Sequence, residues 1–273
     1  MIRVLSLGAG VQSSTLFLMA LAGEFGDERP SVALFADTQW EPADVYAWLL
    51  KLENVGGQEL PIRRVTKGNI RDAALRPSTR FASMPLYTIS RKPASATEGQ
   101  LRRQCTREFK VEPITRYIRQ HLLQLAPRQR VRKGDHIELW MGISVDEASR
   151  MRDNRAPWIL NRYPLIERRM SRQDCVRWLE SNAARIGMPP KSACIGCPYT
   201  DDNRWREMKR EHPNEFADAV AFDHAIRRGV RGVAQDAYLH RSTKPLDEVD
   251  FENAEDKGQI NFFENECEGL CGD

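Results

Sequence analysis

The chain has 273 residues, 41% of them hydrophobic, enough for one large core or a core with a smaller appendage and no disulfide support. The net charge is only +3 and arginine dominates the basic residues, a balance compatible with nucleotides or nucleic acid but demanding neither. No apolar run reaches membrane-spanning length, and Met1–Leu5 enters a strand pattern without the segments of a signal peptide. A soluble, cytoplasmic protein with no membrane partner is therefore expected. Six cysteines in a reducing compartment point to structural thiols, metal ligands or nucleophiles rather than a disulfide framework.

In chain order, Ile2 to Leu7 reads as a strand and Ser13 to Ala22 as an apolar helix, with Gly8 and Gly10 between them. Ser31 to Ala36 has the continuous apolar character of a buried parallel strand, Ala43 to Leu52 follows as a helix, and Pro61 to Val65 as a third strand. This rhythm predicts a parallel α/β sheet, doubly wound. Residues from Asn69 to Gln104, rich in Ser, Thr, Arg, Pro and Gly, read as a loop that orders over substrate. A helix over Glu112 to Gln124 and a buried strand over His136 to Ile143 come next. Ser171 and Asp174 then open a helix reaching Asn182 with a capping-box pattern. Arg204 to Arg228 reads as one or two further helices, and Asp247 to Asp273 as an acidic, cysteine-bearing tail. The expected division is a nucleotide-binding α/β domain over 1–165 and a helical region over 166–273.

The segment Ser6-Leu7-Gly8-Ala9-Gly10-Val11-Gln12-Ser13-Ser14 joins the first strand to the first helix. A glycine turn there aims backbone N–H groups at an anion, and the helix N-terminus adds partial positive charge. Ser13 and Ser14 add hydroxyl donors. The segment lacks the Gly-Lys-Ser/Thr of a Walker loop and the third glycine of a dinucleotide fingerprint, and an ordinary tight strand–helix turn is the alternative. The loop resembles the PP-loop of the adenine nucleotide α-hydrolase-like superfamily. Gln12 stands where ATP pyrophosphatases of that superfamily carry Asp, and matches the looser loop of its phosphoadenosine phosphosulfate (PAPS) reductase branch.

Further stretches resemble the same branch, in the same order. Asp37-Thr38-Gln39-Trp40-Glu41-Pro42 is similar to its Asp-Thr-Gly-x-x-x-Pro signature; a helix N-cap is the alternative reading. Cys105 to Pro113 resembles its Cys-Cys-x-x-Arg-Lys-x-x-Pro stretch, with Cys105, Lys110 and Pro113 in register and Thr106 and Phe109 departing. Gly142 to Arg150 resembles a glycine–arginine region of the reductases, with Ser144 in place of the first arginine, and Tyr163 to Trp178 echoes their Asn-Pro-Leu…Asp-Val-Trp stretch. Cys194-Ile195-Gly196-Cys197 has the Cys-x-x-Cys spacing that also suits zinc or a redox dithiol. The tail from Glu266 resembles the C-terminal Glu-Cys-Gly-Leu-His of PAPS reductases but carries Cys267 and Cys271 and no histidine.

The resemblance, over roughly residues 4 to 200, implies the following expectations. Ser6, Gly8, Gly10, Gln12, Ser13, Ser14, Asp37, Thr38, Gly142 and Arg150 bind an adenine nucleotide, ATP or an adenylyl sulfate, with magnesium a further candidate ion. Cys105, Cys194 and Cys197 hold a 4Fe–4S cluster, with zinc as the alternative. Cys267 is a fourth ligand or, with Lys110 and Asp37, a catalytic group. The acidic neighbours of Cys267 disfavour its thiolate. The first function expected is an enzyme that adenylates an acceptor, releases pyrophosphate and transfers sulfur, the acceptor being nucleic acid such as tRNA or DNA and a sulfur donor a further partner. The alternatives are a sulfonucleotide reductase fed by a thiol reductant, and a non-catalytic nucleotide- or nucleic-acid-binding protein with structural zinc. A homodimer is compatible with each. Basic residues from Arg63 to Arg107 suit a polyanion or a small phosphorylated ligand equally, whereas those at Arg168–Arg177 and Arg204–Arg210 read as solvated helix faces.

Overall fold

Five apolar segments lie side by side, all parallel, in the computed structural model, which describes residues 1–76, 84–90, 98–228, 230 and 233–251. They are β1 (Ile2–Leu7), β2 (Val32–Asp37), β3 (Ile62–Thr66), β6 (Ile137–Met141) and β7 (Ile159–Arg162), in the order β3-β2-β1-β6-β7. Val4 pairs with Val32 on one side and with Leu139 on the other. The order turns back on itself between β1 and β6, so the connections leave these two strands in opposite directions. That divergence opens a crevice at their carboxyl ends, where α/β sheets of this kind bind ligands.

Side-chain alternation fills two cores. Leu5, Leu7, Ala33 and Phe35 point to the face covered by α1 (Val11–Leu21), α2 (Ala43–Gly56) and α6 (Arg172–Asn182). Val4, Leu34, Ala36 and Leu139 point to the other face, under Ile114 of α4 (Glu112–Tyr117) and Ile118 just past its end. Helices thus cover both faces of a parallel sheet, as in a doubly wound α/β fold. Helix α1 is buried from Val11 to Ala20, which explains why its sequence is apolar on every side. Helix α2 instead buries one stripe, Val45, Trp48, Leu49 and Leu52, at helical spacing.

Helix α6 begins with the expected capping box: the Ser171 hydroxyl accepts from the Asp174 N–H, and the Asp174 carboxylate accepts from the Ser171 N–H at 2.8 Å. It packs on α1 through Cys175 and Leu179, so this part of the region beyond residue 165 shares the core of the sheet.

The stretch from Asn69 to Gln104 differs from the loop expected. Residues 77–83 and 91–97 lie outside the described residues; the remainder holds α3 (Ile70–Leu75), β4 (Tyr87–Ile89) and β5 (Glu98–Gln100). Asn69 caps α3 by accepting from the Asp72 N–H. Strand β4 pairs antiparallel with β5 and with β8 (Asp236–Tyr238), Tyr87 facing both Gln100 and Tyr238. The expected helix over Glu112–Gln124 is longer at its start: wide turns over Thr106–Val111 and Ile118–Leu122 flank α4, and the positive φ of Gln124 (50°) lies just past its end. A third core joins the small sheet to α7 (Asp202–Glu211) and α8 (Pro213–Ile226) and also takes in Trp40, Phe109 and Ile195. It sits against the carboxyl edge of the main sheet through those three residues. Among the described residues no helix is long and apolar enough to cross a membrane.

Two tests follow from the packing. A Cβ at Gly142 would stand 2.7 Å from the Ser13 nitrogen and 2.8 Å from its Cα, both backbone atoms that cannot swing away. Gly142→Ala is expected to cost about 1–3 kcal/mol, read as a lower urea midpoint with an unchanged slope. Asp174 is held down to about 2 by the Ser171 hydroxyl and N–H and by Arg177. Its folded value is below its ordinary 3.8, so its contribution is full above that value and is lost as pH falls toward 2. Asp174→Asn should therefore unfold more easily than the parent near neutral pH, with the gap closing in acid.

Candidate active site at the carboxyl edge of the sheet

The glycine turn lies at the crevice between β1 and β6. Gly8, Ala9 and Gly10 are buried, and Ala9 holds a positive φ of 62°. Gly10 is the N-cap of α1 and supplies no side-chain cap, so the first-turn N–H groups of the helix are left for another acceptor. The Ser13 hydroxyl accepts from the Gly8 N–H at 3.1 Å and donates to the Gly10 carbonyl at 3.4 Å, which tightens the turn. Ser14 faces away from the turn: its hydroxyl accepts from the Trp48 indole N–H at 2.9 Å. Ser13 and Ser14 thus shape and anchor the loop through their hydroxyls.

Gln12 reaches across the crevice. Its amide N–H donates to Glu147 at 3.0 Å and lies 3.4 Å from the Ser144 hydroxyl. Glu147 is in turn ion-paired with Arg150, and both are largely buried. Gln12, Gly142 and Arg150, separated in sequence, therefore meet on one side of the loop. The Ser6 hydroxyl and the Gln12 amide oxygen are buried without a hydrogen-bond partner among the described residues.

On the other side, β2 ends in Asp37 and Thr38. Asp37 accepts from the Gln39 N–H at 2.7 Å and from the Tyr46 hydroxyl at 2.8 Å. Burial and the Asp37 carboxylate push the Tyr46 phenol well up, so it stays protonated and donates to Asp37. Thr38 is buried; its hydroxyl donates to Glu41 at 2.7 Å and lies 3.3 Å from the Cys194 sulfur. Thr38, Cys105, Lys110, Cys194 and Cys197 line one cavity of about 30 Å³, with Arg103 and Tyr199 at its wall. That volume holds a water or a small ion. The three cysteines expected to act together do share this cavity.

Burial raises the Cys194 thiol well above its usual range; Glu41 adds to the rise and Lys110 opposes it. Burial likewise raises Glu41, against the pull of Lys110 and the Thr38 hydrogen bond. One oxygen of Glu41 has no hydrogen-bond partner among the described residues. Lys110 is itself buried, and its charge bears on both groups. Soft thiols with a neighbouring carboxylate suit a thiophilic metal in donor type. Among the described residues, however, no three His, Cys, Asp or Glu side chains are gathered as a metal-holding group. Cys267 and Cys271 lie outside the described residues.

The turn from Ser192 to Cys197 connects the two halves. The Ser192 hydroxyl donates to the Gly8 carbonyl, while the Ile195 N–H donates to the Trp40 carbonyl at 2.9 Å. Gly196 is required here, because a Cβ would stand 2.1 Å from the Trp40 ring. Trp40 is pinned by its indole N–H to Asp218 of α8 at 2.6 Å. Glu41, Trp40 and Ser192 carried no role in the sequence reading. The one signal for Glu41 was a carboxylate three residues past a strand-end Thr, which equally fits a helix start.

No protein-family model matches the chain, and neither a curated protein nor a solved structure matches it significantly.

Thr38→Val removes a buried donor of similar size and is expected to cost about 1–3 kcal/mol. The Thr38 hydrogen bond lowers a Glu41 value that burial raises. An acid with a raised folded value loses stability as pH rises. The penalty of Thr38→Val should thus be larger near pH 8 than near pH 5 in urea titrations. An equal penalty at both would show that Glu41 does not change its charge across that range.

Proposed function

We propose that the chain is a PP-loop enzyme of the PAPS reductase-like type that adenylates an acceptor with ATP, releases pyrophosphate and directs the activated acceptor to sulfur transfer. The observation carrying this is the Ser192–Cys197 turn, which bonds the glycine loop at one end and brings two cysteines to the Thr38 cavity at the other. A phosphate-type loop and a thiol cavity sharing one short turn suit a reaction that needs both.

The first turn of α1 and the loop backbone would take up phosphate charge, as helix N-termini do. Ser6 and Gln12 offer buried polar atoms toward the nucleotide, and Gln12 keeps Glu147 and Arg150 beside the loop. Cys105, Cys194 and Cys197 would hold zinc in a cavity of this size, with a tail cysteine as a further donor, whereas an iron–sulfur cluster would need the cavity of about 30 Å³ to widen around the three thiols. When bound, a cluster supplies a thiophilic iron for a transferable sulfur. Lys110 offsets negative charge in the cavity and so favours ionised thiols over neutral ones. Leaving-group charge would develop on the pyrophosphate, and the first-turn N–H groups of α1, which no N-cap side chain occupies, would face it.

Anaerobically purified protein should be brown, contain iron and sulfide, and lose them in Cys194→Ala. It should also exchange labelled pyrophosphate into ATP when acceptor is present. Zinc without iron would replace the cluster by a structural ion. Sulfite release from adenylyl sulfate without pyrophosphate exchange would overturn adenylation in favour of sulfonucleotide reduction.

A further inference from the structure

Outside the cysteine cavity, the helical stretch from Cys105 to Leu122 forms one wall of an open cleft of about 520 Å³. Five arginines line it: Arg107, Arg116 and Arg119 on the helix, Arg128 in the following loop and Arg155 opposite, against a single carboxylate, Glu112. A smaller cleft of about 160 Å³ continues from it, sharing Arg107, Glu112 and Arg155 and adding Arg102, Arg103 and Glu108. Arg103 also lines the cysteine cavity, where it lies 5.3 Å from the centre of the Tyr199 ring. The three spaces therefore run in series from the arginine cleft to the thiols.

The charge along this track is strongly one-sided. Lys67 stands 3.0 Å from Glu112 and 3.6 Å from Glu108, and Arg107 of the track stands 3.6 Å from Glu112, so these two carboxylates offset at most one cation outside the track and one within it. Arg102, Arg107, Arg116, Arg128 and Arg155 are exposed. Spacing decides what such a track fits. From Arg107 to Arg119 the stretch advances somewhat less than the roughly 18 Å of an ideal α-helix, because its wide turns rise less per residue, and a stacked strand presents one phosphate per about 3.4 Å. A mononucleotide would meet one end of this wall, whereas several successive phosphates would span it. Resting on the adenylation reading given above, we propose that the acceptor is a single-stranded nucleic acid whose backbone lies along the Arg116–Arg107–Arg103 track and whose terminal or splayed nucleotide enters beside Tyr199, an aromatic face on which a base can stack.

The test is binding of a short fluorescein-labelled single-stranded RNA, and of the matching DNA, to the full chain by anisotropy across a salt series. Two exposed arginines distant from the thiols, Arg116 and Arg128, are changed together to Gln. Expected for the parent is binding by at least one of the two strands that weakens steeply with salt. The double variant should bind about tenfold or more weakly at low salt, with a log–log slope shallower by about 1.4, that is about 0.7 per lost contact. Preference between RNA and DNA identifies the sugar read by the track, and either supports it. Strand binding unchanged in the variant would overturn the proposal, as would displacement of the strand by equimolar ATP. Pyrophosphate exchange into ATP is measured on the same samples. Arginine-dependent strand binding without exchange would keep the track and discard adenylation, whereas exchange without strand binding would do the reverse.

Discussion

The end of β6 comes against the first turn of α1 with no room for a side chain between them. Gly142 meets the backbone of Ser13, and this closeness fixes the crevice in which the glycine loop sits. It also lets Gln12 reach Ser144 and Glu147 just beyond β6, so the loop is bonded to the neighbouring strand's connection as well as to its own helix. A bulkier strand end would push α1 outward, and that helix is buried from Val11 to Ala20. The loop's shape is therefore a consequence of core packing. Ser14, which a reading of loop letters assigns to phosphate, is spent on holding Trp48 of α2 in that same core.

The main sheet was legible because its strands are buried on both faces. β2 is a short continuous apolar run, β1 and β6 are apolar apart from Arg3, Ser6 and Glu138, and α6 carries its capping box openly in Ser171 and Asp174. β7 was not legible: Ile159–Arg162 is an edge strand with one buried residue and polar Asn161 and Arg162, so neither periodicity nor propensity marks it. The small sheet was hidden for a different reason. Its strands have three residues each, and Thr88 finds its partner at Ala237, far along the chain. Local pattern carries no record of such a pairing, which is selected by the third core around Trp205 and Phe222.

Of the site, the chain order of motifs pointed to the cysteines, and these do line one cavity. What sequence could not give was the direction of each polar group. Thr38 turns its hydroxyl to Glu41 and Cys194, and Asp37 takes the Tyr46 hydroxyl. Glu41 was unremarkable in sequence because its importance comes from burial beside Lys110, a relation between residues in different elements. The arginine cleft was missed for a similar reason. Charges at 102–107 read as part of one linear cluster, while Arg116, Arg128 and Arg155 join them only through folding.

The Cys-x-x-Cys turn is held at both of its ends and at its centre. Ser192 bonds the glycine loop, Cys194 meets Thr38, the Ile195 N–H bonds the Trp40 carbonyl, and Gly196 lies flat on the Trp40 ring. Trp40 is in turn tied to α8 through Asp218, and Arg71 just after the start of α3 joins that same carboxylate at 3.0 Å. The Gly8 carbonyl is therefore connected to Cys194 through a single hydroxyl and two residues of backbone. The glycine loop and the thiol cavity are thus joined by one continuous path of packed and hydrogen-bonded groups, with Trp40 and Asp218 holding its far side.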